Sequence, residues 1–147
     1  MGKGGKGMLE FNVDKITIPL KQHVGGPCQA IVSVGDHVKR GQLVATPNGL
    51  GANIHTSLSG VVESVDEMNI VVKLDKEQSD DYVKLEPTDD HLQRIKDAGI
   101  VGVGGAGFPT GIKLSAQIPG GYVIANAAEC EPVLGHNVRY MEEHPEE

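Results

Sequence analysis

From Lys15 to about Asp75 the chain reads as a succession of short strands, each stopped within a few residues by a turn. "KITIPL" alternates Ile16, Ile18 and Leu20. "QAIVSV", "QLVAT", "GVVESV" and "NIVVKL" follow, all rich in the β-branched residues that suit a pleated, half-buried surface. Between them stand "GGP", "GD", "PNGLG", "LSG" and "DEMN", where Gly, Pro, Asn and Asp supply turn geometry. Short strands at this regular spacing predict a small all-β barrel or sandwich. Its core has to be aliphatic, because the whole chain holds two Phe, three Tyr and no Trp.

The course of the segment narrows this further. "VSVGDHVKRGQLVA" is a strand, a Gly-Asp turn, a valine, a Gly-Gln turn and another strand, and "NIHTSLSGVVESV" is an extended stretch, a Ser-Gly turn and a strand. This resembles the barrel-sandwich hybrid of biotinyl and lipoyl carrier domains, whose halves repeat such a hammerhead course. Those carriers present a lysine at an exposed hairpin tip. The corresponding tip here, "PNGLGAN", has none. The resemblance therefore implies the fold as a structural module and not the swinging arm.

After Asp75 the pattern changes. "KEQSDDYVKLEPTDD" is polar and reads as an exposed connector. "TDDHLQRIKDAGI" predicts a helix capped by Thr88 or Asp89, with acidic residues in its first turn, Leu92 and Ile95 on one face and Gly99 closing it. "GVGGAGFPTGIK", Gly102 to Lys113, follows directly, and "GGYVIANAAE" predicts a buried strand from Tyr122 to Ala125. The second half is thus α/β in character.

The first six residues of that glycine loop spell G-x-G-x-x-G. A dinucleotide fingerprint needs a strand before the first glycine and a long helix opening at the last. Here a capped helix precedes it with only "IV" to spare, and the helix that Pro109 can start at its first position ends before Pro119 and Gly120. The context does not fit. Four glycines within six residues instead remove the Cβ atoms that would hold a flat ring or a phosphate off the backbone. Phe108 offers an aromatic face, the start of the helix at Thr110 favours an anion, and Lys113 can return an ammonium group toward it. Asn126, Glu129 and Glu131 follow the predicted strand, where α/β folds place ligands.

"GIVGVGGAGFPTGIK" with "NAAECEP" resembles the flavin- and NADH-binding domain shared by the RnfC family of Rnf complexes and the NADH-binding flavoprotein of complex I. "PLKQHVGGPCQAIVSVGDHVKRGQLVA" and "IHTSLSGVV" resemble the N-terminal domain of RnfC, so the likeness runs from about Ile16 to Met141 in one order. "GLGANIH" and "NAAECEP…GHN" lean toward soluble RnfC-like electron-transfer proteins such as the partner of clostridial proline reductase. The resemblance implies an α+β chain: an N-terminal all-β barrel-sandwich hybrid, then the start of an α/β FMN/NADH-binding domain. The expected boundaries are a flexible start at 1–12, the sandwich at 13–78, a connector at 79–88 and the first part of the flavin domain at 89–147.

It further implies that Gly102, Gly104 and Gly105 lie against FMN, with Lys113, Asn126 and Glu129 bonding around it. Phe108 and Glu131 would serve NADH as substrate. Electrons would pass singly to [4Fe–4S] clusters carried beyond Glu147. The partners expected are other subunits of an electron-transfer or reductase complex, and the location is cytoplasmic or peripheral to the membrane through them. Ala128 departs from the complex I relatives, where that position is often acidic, and removes a hydrogen-bonding group.

Other functions are excluded or set aside. The net charge of −7, with no basic cluster beyond "KGGKG", argues against nucleic acid, and no run reaches the length of a membrane span. Cys28 and Cys130 cannot build a zinc ribbon or an iron–sulfur cluster, and Cys130, His136 and His144 follow no zinc spacing. The competing plain readings are a solvated acidic turn at Glu129 and Glu131 and packing roles for Phe108 and Lys113. The competing function is a non-catalytic docking module whose sandwich grips a partner reductase.

Overall fold

The computed structural model describes residues 13–103, 105–122, 124, 126, 128, 133 and 135–146. These fall into two compact units, one reaching to Ala116 and the other starting at Gln117.

In the first unit the period-2 segments form two antiparallel sheets. Strands β1 (Lys15–Pro19), β7 (Asn69–Leu74), β6 (Gly60–Val65) and β3 (His37–Val38) make a four-stranded sheet in that order. Strands β2 (Gln29–Ala30), β4 (Leu43–Thr46) and β5 (Ile54–His55) make a three-stranded one. This is the sandwich expected, and it does not close into a barrel. Alternation decides which face is inward: Ile18 on β1 and Ile70 and Val72 on β7 are buried, and Val62 on β6 joins them. Leu20, Cys28, Val38, Val44, Ala45 and Ile54 complete an aliphatic core.

Turn chemistry closes the strands where the sequence signals it. The Asp66 carboxylate accepts the Met68 and Asn69 N–H groups at 2.7 Å in the β6–β7 hairpin. Gly35 and Gly41 take the left-handed φ values of +93° and +79° that their turns require. The connector is exposed but held down. The Gln78 side-chain amide bonds both backbone groups of Ser59, at 2.9 and 2.8 Å. Val83 donates to the Arg40 carbonyl at 2.8 Å.

Helix α1 spans His91–Asp97. Its cap is Asp90, not Thr88 or Asp89: the Asp90 carboxylate accepts from Leu92 and Gln93 at 2.9 and 3.0 Å, and its own N–H goes to the Thr88 hydroxyl. With the helix starting later, no acidic residue falls in the first turn. Gly99 closes it at φ +67°. Helix α2 is one turn, Thr110–Leu114, with Pro109 as its cap residue and not its first helical one.

In the second unit, helix α3 (His136–Glu143) carries the Arg139–Glu143 pair at 2.8 Å, and the Tyr140 and His144 rings stack at 4.6 Å. The buried strand expected at Tyr122–Ala125 is not formed by its described residues. Tyr122 and Ile124 lie in no strand and are 91% and 83% exposed. A strand needs a partner for its backbone groups, and among the described residues none pairs with this segment. Val123 and Ala125 lie outside the described residues.

Candidate functional site

The glycine loop is a closed hairpin. The Thr110 N–H donates to the Ile100 carbonyl and the Gly102 N–H to the Phe108 carbonyl, both at 2.9 Å, with Val101 and Pro109 bridged antiparallel between them. The chain enters the loop from α1 and leaves it into a single helical turn, so the strand-to-helix geometry of a dinucleotide fingerprint is absent here.

Its glycines are of two kinds. Some are demanded by packing. A Cβ on Gly99 would run into the carbonyl of Asn53, and one on Gly107, at φ +68°, would stand 3.1 Å from the Gln22 carbonyl oxygen and the His23 Cα. Gly111 lies against Lys96, where a Cβ would meet the side chain at 2.5 Å. Gly102 and Gly105 are different. Neither has positive φ, a Cβ on Gly102 would come no closer than 3.8 Å to Phe108, and one on Gly105 would meet nothing. Their lack of a side chain leaves an open backbone surface. Gly104 lies outside the described residues.

Phe108 stands beside that surface, 45% exposed. Lys113 follows on α2, and its exposed ammonium has no hydrogen bond or ion pair among the described residues. With five residues α2 adds little dipole, so any charge attraction here rests on Lys113. Asn126 belongs to the second unit, where its side-chain oxygen accepts the Ala128 N–H at 3.0 Å and so leaves its NH₂ to donate. Glu129, Cys130 and Glu131 lie outside the described residues. Among the described residues no three His, Cys, Asp or Glu side chains gather as metal ligands.

The lysine-free tip, Pro47–Asn53, has a use that the sequence did not disclose. It faces α1 and α2 across a cleft of about 270 Å³ lined by Pro47, Asn53, Lys96, Ile100, Pro109 and Ile112. The Asn53 amide donates to the Asp97 carbonyl at 3.3 Å. None of the residues expected at the flavin lines this cleft, which is the seam between the sandwich and the following helices. Cys28 is free and buried near it, and burial pushes its thiol pKa above the ordinary range. The signal for the seam was the pairing of a glycine-bearing tip with Gly99, visible only once topology brings them together.

Residues 10–85, just over half of the chain, match the RnfC barrel sandwich hybrid domain. The chain belongs to the RnfC family. Residues 95–147 match the Nuo51 FMN-binding domain, so the family's sandwich is followed here by a flavin-domain segment that holds the glycine loop. Among relatives, the C subunit of the ion-translocating oxidoreductase complex of Serratia proteamaculans is 35% identical over 91% of this chain and 22% of its own length. The C subunit of the proton-translocating ferredoxin:NAD(+) oxidoreductase complex of Clostridium ljungdahlii is 38% identical over 87% of this chain and 32% of its own. The chain thus spans between about a fifth and a third of the length of these relatives. Among its described residues, no helix is long and apolar enough to cross a membrane.

Proposed function

We propose that this chain provides the FMN-binding loop of an electron-transfer protein that oxidises NADH. The observation that carries the reading is the pair Gly102 and Gly105, glycines in an FMN-binding family segment that no turn and no packing contact requires. A flat ring can approach that backbone; the Gly102 N–H is already given to the Phe108 carbonyl, so what the pair offers is the absence of Cβ atoms. Lys113 would hold the phosphate or the electron-rich edge of the ring. Asn126 and Glu129 would hydrogen-bond around it, and Phe108 and Glu131 would receive NADH. When bound, FMN supplies hydride acceptance from NADH and single-electron release. Two cysteines do not build a [4Fe–4S] centre, so the centres that take those electrons would be held by cysteines outside these residues. Other subunits of such a complex are the partners, as the names of the relatives indicate for those proteins.

The docking-module reading draws on Gly99, Gly107 and Gly111, which packing against neighbouring residues accounts for without a ligand. An FMN titration followed by backbone amide shifts separates the two. The flavin reading expects shifts clustered at Gly102–Lys113 that disappear in Gly105→Val. Their absence at millimolar FMN would overturn the cradle and leave the docking module.

A further inference from the structure

His23 is buried, 6% exposed, in the loop between β1 and β2. Its Nδ1 lies 2.9 Å from the Val24 carbonyl, which can only accept, so Nδ1 carries the hydrogen. Nε2 accepts the Ala52 N–H at 3.2 Å, which requires a lone pair there. The Cys28 thiol lies 3.3 Å from both Nε2 and the Ala52 carbonyl. With Nε2 already occupied by an N–H, that carbonyl is the thiol's acceptor. Gly51 closes over the ring, where a Cβ would stand 2.6 Å from Cε1. One imidazole thus ties the β1–β2 loop to the lysine-free tip. The β1–β2 loop in turn carries the glycine loop: Val24 donates its N–H to the Gly107 carbonyl at 3.3 Å, and Gly107 rests on Gln22 and His23.

We propose that His23 is a positioning residue for the flavin loop, fixing through Val24 and Gly107 the loop that presents Gly102 and Gly105. The proposal rests on the flavin reading above. His23 touches no ligand. Its part is to hold one arrangement of a loop that has few buried contacts of its own, as a preorganised site needs from its supporting residues. Without it, the loop is left to the single 3.3 Å Val24–Gly107 bond, and one long bond opens easily.

The test compares His23→Leu with His23→Gln, whose side-chain oxygen can still accept the Ala52 N–H. Amide hydrogen exchange reads the loop at Val24 and the sandwich core at Val62, whose N–H donates to Asp36 at 2.8 Å. In His23→Leu, Val24 should exchange at least about tenfold faster with Val62 unchanged, and His23→Gln should restore protection. FMN affinity should fall by about tenfold in His23→Leu and return in His23→Gln. Unchanged exchange at Val24 overturns the proposal, as does equal acceleration at Val24 and Val62, which would make His23 a folding residue only. A freed Val24 with unaltered FMN affinity overturns it too. If the unsubstituted chain binds no FMN, the function reading fails while the exchange comparison still decides whether His23 holds the loop. Should His23→Leu not fold, Gly107→Ala opens the same contact from the other side and must free Val24 in the same way.

Discussion

Strands β6 and β7 bury Val62, Ile70 and Val72 almost completely, whereas helices α1 and α3 bury no residue and α2 buries only Gly111. The sandwich holds itself together by apolar area. The segment from Asp90 to Ala116 is held by something else: a capped helix, a two-bond loop neck, and backbone brought against backbone at Gly99 and Gly107. Contacts of that second kind contribute little area but are exacting in shape. A family's carrier-like tip, without a lysine to acylate, here serves as the surface on which the flavin segment rests.

The largest effect should come from the sandwich core. Ile70→Ala removes a fully buried side chain and should cost about 3 kcal/mol in denaturant unfolding. Phe108→Ala, at a half-exposed site, should cost about 0.5 kcal/mol. Equal losses would mean that the loop shares the core after all. Next comes Gly99→Ala, which places a Cβ against the Asn53 carbonyl at a left-handed φ. We expect about 2 kcal/mol, together with faster amide exchange in α1 that spares β6 and β7. Uniform exchange would show that the seam is as cooperative as the core.

A smaller effect is one of pH. Burial lowers the pKa of His55 on β5 below its usual 6.5, favouring the neutral ring in the folded chain. Above pH 6.5 both folded and unfolded states are neutral there. As pH falls below 6.5 the unfolded chain takes up the proton first, so stability contributed by the neutral ring is lost. Chemical denaturation at about pH 7.5 and about pH 5 should therefore give a smaller difference in His55→Gln than in the unsubstituted chain. No reduction would mean that the ring titrates alike in both states.

The same comparison explains what the sequence disclosed. The sandwich was legible because β1 and β7 alternate and its turns carry Gly, Asp and Asn where the backbone needs them, although β4 buries Val44 and Ala45 in succession. Helix α1 was legible too, but "TDD" offers three consecutive capping residues and only geometry selects Asp90. The glycine loop was legible as a loop. Which glycines face neighbours and which face open space was not, because Gly99 meets Asn53 and Gly107 meets His23 across long stretches of chain. His23 itself gave no signal: one histidine in a strand-connecting loop looks like any surface histidine until Ala52 is found beside it.

The smallest effect on stability discriminates best between the two kinds of glycine. A methyl group on Gly105 meets no atom, and the backbone there lies outside the left-handed region. Replacing glycine by alanine at such a position narrows the unfolded ensemble without straining the folded one, so Gly105→Ala should leave the unfolding free energy unchanged or raise it by about 0.5 kcal/mol. A fold that gains from alanine but keeps glycine is giving up stability for another use of that surface. If Gly105→Ala destabilises the chain as Gly99→Ala does, Gly105 is a packing glycine, the two kinds merge into one, and the open backbone surface loses its standing as a flavin cradle.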